Sequence, residues 1–325
     1  MLAVGDTTID AFIRLKDARV NCDVNDEHCR ICLNFADKVP YESVTIVPAV
    51  GNAANAGVAA ARLGLSSGFV GYVGADLNGE LCVRTLSNEG VSTKYVTKEA
   101  GSRTNYHYVL WYEDERTILV KHEEFSYRFP NVRHPPVWLY LSSLGEHSLP
   151  YHHEIVAYLD LHKEVKLAFQ PGTFQIKMGY VALRDIYART DIFFCNKEEA
   201  QRILGTQESG MKKLLKRMRV LGPKTVVITD GRYGAWSLGE EGSFRVPMYP
   251  DPKAPLERTG AGDAFSSTVV VALALGRKMK EALAWGPVNA MAVVQEIGGQ
   301  KGLLTKKVLL ELLKKAPPEY QVRKR

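Results

Sequence analysis

The sequence predicts an α/β fold: a central, mostly parallel sheet flanked by helices, with a small β-rich lid beside it. Three observations carry that reading. Strand-like and helix-like segments alternate over most of the 325 residues, the pattern of repeated strand–helix units. Several of the strand-like runs, such as 192–195 and 225–229, are short, apolar and β-branched, as expected of strands covered on both faces. Two stretches, 11–50 and 101–127, break the rhythm with β-rich runs such as 106–112 and 116–120, which read as antiparallel strands of an accessory sheet. The expected division is a large domain of 1–10, 51–100 and 128–325, with 11–50 and 101–127 as the lid.

The elements follow in order. An Ala-rich helix over 53–63 lies between Gly51 and Gly64, and a buried strand follows at 67–73. A helix over 79–89 ends at Gly90. Strand 138–142, helix 152–162 and strand 165–169 make the next units, and strand 192–195 leads into helix 197–204. A basic amphipathic helix spans 209–221, strand 225–229 ends in the turn Asp230-Gly231, and late helices cover 281–295 and 306–314. Ligands in such sheets bind at the carboxyl ends of the strands.

Hydrophobic content of 46% and charged content of 24% are ordinary for a globular protein. Residues 1–10 lack a basic start and a long apolar run, and the longest apolar stretch, 268–275, is too short to span a bilayer, so a cytoplasmic protein without a membrane role is expected. The net charge of +6 is partly in the tail 314–325, which reads as a solvated end rather than a nucleic-acid arm.

The most informative stretch is 257–271. Gly260, Ala261 and Gly262 form a small-residue turn, and Asp263 opens an apolar helix that runs to about Gly276. Such a turn leaves backbone N–H groups free at a helix start, where the dipole favours an anion. A carboxylate beside an anion site can take a proton from a hydroxyl that attacks a phosphate. A plain capped helix start, with Asp263 as the cap, would look the same in isolation. Two other clusters fit a polyol acceptor. Asp10, just past the first strand, can accept hydrogen bonds from sugar hydroxyls, and Asn52 and Asn55 share a face of the helix that begins after Gly51.

With these motifs in place, the chain resembles the ribokinase-like (PfkB) carbohydrate kinases. The resemblance rests on an ordered series: Gly5-Asp6 with Asp10; Gly51-Asn52 with Asn55; Gly71, Gly74, Asp76 and Gly79; Asn196-Lys197-Glu198-Glu199; 227–231; and 259–263. It implies ATP-dependent phosphorylation of a hydroxymethyl group, with Asp263 as general base and Gly260, Ala261 and Gly262 as the anion hole. It further implies that Asp10, Gly51, Asn52 and Asn55 bind the sugar. Asn196, Glu199, Thr229, Gly231 and Asn289 would meet the nucleotide, with Glu199 holding magnesium through water. An exposed lid sheet could pair with a second copy.

The chain departs from the family pattern in three places. Val50 stands where a first Gly usually precedes the sugar-site Asn. Glu257-Arg258-Thr259 replaces the usual Asp-Thr-Thr, whose Asp helps hold a monovalent cation in some members, which speaks against potassium dependence; Arg258 is expected to point to solvent. Third, Cys22, Cys29 and Cys32, with His28 alongside, could make a zinc site, a disulfide or free thiols, and free thiols are the expectation in a reducing compartment.

The acceptor class stays open between a simple sugar and, as the alternative, a nucleoside. Sugar acids or phosphates would want extra cations, for which Arg103, Arg116 and Lys121 are candidates. A dinucleotide-dependent oxidoreductase needs an early Gly-x-Gly-x-x-Gly, whereas Gly260-x-Gly262 lies late and Phe265 takes the third Gly position. A non-catalytic sugar sensor should have lost the base, and Asp263 is present.

Overall fold

The fold is described from a computed structural model covering residues 1–22, 29–113 and 115–325. One sheet of ten strands organises it. In spatial order these are Val91–Glu99, Ser67–Gly74, Leu2–Val4, Trp138–Leu141, Lys166–Phe169, Ile192–Asn196, Thr225–Thr229, Ala235–Gly239, Gly242–Val246 and Arg323–Lys324. The first seven are mutually parallel, and the last three add antiparallel at one edge.

The parallel strands are apolar on both faces because both are covered. Leu139, Leu141, Phe193, Cys195, Val226 and Ile228 belong to one buried cluster. Their neighbours Trp138, Tyr140, Ile192, Phe194 and Val227 belong to another. The period of two places successive side chains in opposite layers.

The helices expected from the sequence form with ends shifted by a few residues: Asn52–Arg62, Leu77–Asn88, Leu149–Leu161, Lys197–Leu204, Met211–Val220, Ala261–Ala274, Met279–Val293 and Lys306–Lys314. Helices Thr173–Ala182 and Arg184–Arg189, and the antiparallel hairpin after Thr229, were not expected. The basic tail is also more ordered than its composition suggested. Tyr320 and Val322 are buried, Tyr320 Oη donates to the Ala284 carbonyl, and Arg323–Lys324 pairs with the sheet edge.

A second sheet stands off the first, with strand order Tyr41–Val50, Thr8–Leu15, Tyr106–Tyr112 and Glu115–Leu119. Its outer pairings are antiparallel, as expected, but Thr8–Leu15 and Tyr106–Tyr112 run parallel. Both leave the large sheet at its carboxyl edge and travel the same way. A short ribbon pairs Arg19–Asn21 with Arg30–Cys32.

The series Gly71, Gly74, Asp76 and Gly79 explains how this lid is rooted. Asp76 caps helix Leu77–Asn88 by accepting from the Gly79 amide (2.7 Å) and holds Thr104 through its amide (2.9 Å) and hydroxyl (2.6 Å). A Cβ on Gly79 would meet the Gly74 carbonyl oxygen at 2.1 Å, and one on Gly74 would meet the Ser102 carbonyl oxygen at 2.5 Å. The motif therefore clamps the start of the lid strand. Asp76→Ala removes a helix cap and two further bonds, and should lower unfolding stability by about 1–3 kcal/mol in urea titration; an unchanged midpoint would contradict the clamp.

Candidate active site

Asp263 lies in the first turn of helix Ala261–Ala274 and is buried. Its Oδ2 accepts from Asn55 Nδ2 at 2.8 Å and its Oδ1 from Gln170 Nε2 at 2.9 Å. Gln170 follows strand Lys166–Phe169, and its own oxygen accepts from the Tyr140 and Ser266 hydroxyls. An ionised carboxylate only accepts, so it is the donor end of the amide that faces Asp263. Burial pushes the Asp263 carboxyl up, bonds from Asn55 and Gln170 pull it back, and the Asp10 charge adds to the rise; the net value is about 6. Gly260 has φ of 79°, and a Cβ there would sit 2.4 Å from the Gly299 Cα, so both conformation and packing require glycine.

On the lid side, strand register sets His107 beside Asp10, with Nδ1 3.4 Å from Asp10 Oδ1. Asp10 Oδ1, Asn55 Oδ1 and His107 Nε2 are buried without hydrogen-bond partners among the described residues. Asn55 touches Asp263 directly, and the Asp10 charge contributes to the rise of the Asp263 carboxyl. Behind them, Asp6 accepts from the Tyr127 hydroxyl at 2.7 Å and lies 3.1 Å from His122 Nδ1, whose ring is 5.3 Å from that of His107. Gly51 precedes helix Asn52–Arg62 with φ of 108°, where a Cβ would meet the Asp6 carbonyl oxygen at 3.0 Å. Asn52 is half-buried at the start of that helix.

On the other side of Asp263, a cavity of about 540 Å³ is lined by Asn196, Thr229, Gly231, Ala261 and Gly262, with apolar walls from Tyr249, Phe265, Pro287 and Met291. First-turn amides of a helix have no intrahelical acceptor, so those of Ala261–Ala274 abut this space. Asn196 and Glu199 form a reciprocal capping box: Asn196 Oδ1 accepts from the Glu199 amide and Glu199 Oε2 from the Asn196 amide, each at 2.8 Å. Burial raises the Glu199 carboxyl above its usual range. Arg258 is exposed at the cavity mouth.

Two expectations need correction. Asn289 is fully buried and does not line the cavity; its amide donates to Thr268 Oγ1 at 2.7 Å and accepts from the Leu304 amide at 2.8 Å, tying the late helices together. Pro287, Ala290 and Met291 of the same helix face the cavity instead. Cys22 and Cys29 are joined in a disulfide rather than free, leaving Cys32 as the free thiol of the trio; both disulfide sulfurs are taken, which removes the zinc arrangement. His28 lies outside the described residues.

Sequence reasoning missed Gln170, His107 and His122. A polar residue at the carboxyl end of a buried strand was the available signal for Gln170. The orientation of His107 depends on which face of its strand turns inward, and alternation alone does not decide that.

This architecture is that of the ribokinase-like kinases, and the family match below makes the chain one of these phosphotransferases with an alcohol acceptor. The pattern of the pfkB family carbohydrate kinases matches residues 20–306, and the chain belongs to that family. It is 26% identical to the ribokinase of Haemophilus influenzae over 82% of this chain and 87% of that protein. Among solved structures it is similar to Arabidopsis thaliana ribokinase complexed with ribose and ATP (19% identity, TM-score 0.78, 96% and 98% of the two chains). It is equally similar to a Methanocaldococcus jannaschii nucleoside kinase (18% identity, TM-score 0.78, 97% of each chain).

The raised Asp263 value has two consequences. In the role of general base proposed below, Asp263 must be ionised to accept a proton, so turnover should rise with pH through a midpoint of about 6 and then level off, and Gln170→Leu should move that midpoint upward. The fold favours the protonated carboxyl, so stability falls as pH rises from 3.8 through about 6; Asp263→Asn should be the more stable protein above that range. A pH–rate profile flat across this window would contradict the assignment.

Proposed function

We propose that this chain is an ATP-dependent kinase that phosphorylates a primary hydroxyl of a neutral sugar, with Asp263 as general base and the Gly260–Gly262 turn as anion hole. The observation that carries the reading is the position of Asp263. Its carboxylate is buried between Asn55 and Gln170, with open polar atoms on one side and a helix start facing a large cavity on the other. A hydroxyl presented by Asp10, Asn55 and His107 would meet the base, and a phosphoryl group at the first turn would meet free amides. Phosphoryl transfer needs in-line placement and charge neutralisation more than covalent steps.

Electrostatics favour a neutral acceptor. Arg103 is exposed, Lys121 is exposed and pairs with Glu123 at 2.7 Å, and Arg116 faces Glu257, so none of the three candidate cations is left for a sugar acid or phosphate. A nucleoside acceptor, the alternative, would want an apolar slot for its base. Tyr106 and Tyr108 alternate to the face of their strand opposite His107, and Tyr108 is exposed, so they do not supply one.

In the nucleotide cavity, Thr229 and Gly231 would meet ATP beside the apolar wall. Magnesium, when bound, neutralises phosphate charge, and the Glu199 carboxylate beside Asn196 is oxygen-donor chemistry suited to holding it through water. A monovalent cation fits poorly at Glu257, whose oxygens both accept from the Thr259 amide and face Arg116. The outer lid face exposes Val44, Ile46, Tyr108 and Leu119, which suits docking of a second copy; sedimentation as a monomer would remove that part.

The test is ADP release with Mg·ATP against sugars, sugar acids, sugar phosphates and nucleosides. Neutral sugars should stimulate release, and Asp263→Asn should lose about 100-fold or more of turnover while still binding ATP. Stimulation only by nucleosides or anionic sugars would overturn the acceptor class, and full activity in Asp263→Asn would remove it as base.

A further inference from the structure

Glu257 is the most deeply buried carboxylate near the anion-hole turn, with its side chain 2% exposed. Burial raises its carboxyl above the usual range, and the Thr259 amide bonds and the Arg116 charge oppose that rise. Both of its oxygens accept from the Thr259 amide, at 2.9 and 2.7 Å, and Thr259 directly precedes Gly260. A buried charge is tolerated only with compensating partners. The cation facing it does not come from the large sheet. Arg116, on lid strand Glu115–Leu119, brings its Nε to 3.8 Å from Glu257 Oε2, and that Nε is buried without a hydrogen-bond partner among the described residues. Among the described residues, its one other acidic neighbour within ion-pair range is the exposed Glu115, at 3.9 Å.

We propose that Arg116 is a positioning residue: the lid's guanidinium docks on Glu257 and so holds the Thr259–Gly260 turn, making lid closure and assembly of the anion hole a single event. The inference rests on the kinase reading for its consequence in catalysis, but not for its geometry. With the lid away, Glu257 is left as a buried charge without its cation, and the turn it holds loses its reason to stay. With the lid down, the carboxylate is paired and the Gly260–Gly262 amides are held in place. Hydrolysis of ATP on an open, unassembled site is thereby suppressed.

The test compares wild type, Arg116→Met and Arg116→Lys by hydrogen–deuterium exchange of the full chain. Arg116→Met should raise exchange across residues 257–263, leave helix Leu149–Leu161 unchanged, and be restored toward wild type by Arg116→Lys. This readout needs no acceptor, so it stands even if the kinase reading fails. Where a stimulating sugar is found, Arg116→Met should lower kcat by about 10–100-fold with less than about threefold change in KM for ATP. Unchanged exchange across 257–263 in Arg116→Met, or a loss confined to KM, would overturn the proposal.

Discussion

The structure depends on keeping one ionisable carboxylate out of water. Asp263 sits at the first turn of its helix, where the dipole favours a negative charge but burial disfavours one. The conflict is balanced by Asn55, from the helix after Gly51, and by Gln170, from the end of a central strand. Three separate parts of the chain thus converge on one side chain. The Gln170 oxygen in turn meets the Tyr140 and Ser266 hydroxyls, while its donor end meets the acceptor-only Asp263 carboxylate. The parallel sheet is what brings these pieces together, because its strands all end at the same edge.

The lid shares in that edge. Asp76 roots it through Thr104, register aligns His107 with Asp10, and Arg116 reaches Glu257. The first contact fixes where the small sheet begins, and the other two join it to Asp10 and to the residue two before Thr259. The lid's inner face is polar where it meets Asp10, and its outer face carries exposed apolar side chains. This split follows from strand alternation.

Much of the fold was legible in the sequence because the parallel strands are covered on both faces and read as short apolar runs. The exceptions are informative. The hairpin Ala235–Val246 and the edge strand Arg323–Lys324 lie at the sheet's exposed edge, where polar residues blur the pattern. The disulfide between Cys22 and Cys29 was unexpected because free thiols were inferred from a reducing compartment, which the sequence does not itself establish. At the site, Asp263, Asn55 and the Gly260 turn stood out because their chemistry is bound to a local motif. Gln170 and His107 did not, and Arg116 was read only as a candidate cation for an anionic acceptor, since each acquires its contacts from a partner far away in sequence. Asn289 misled for the converse reason: its helix borders the cavity, but its own side chain turns into the core.

The most direct test is a crystal structure with a non-hydrolysable ATP analogue and a neutral sugar bound together. The account predicts the sugar's primary hydroxyl within about 2.6–3.2 Å of the Asp263 carboxylate, and the terminal phosphate against the amides of the Gly260–Gly262 turn. A sugar hydroxyl held away from Asp263, or phosphates bound elsewhere than at that turn, would contradict it.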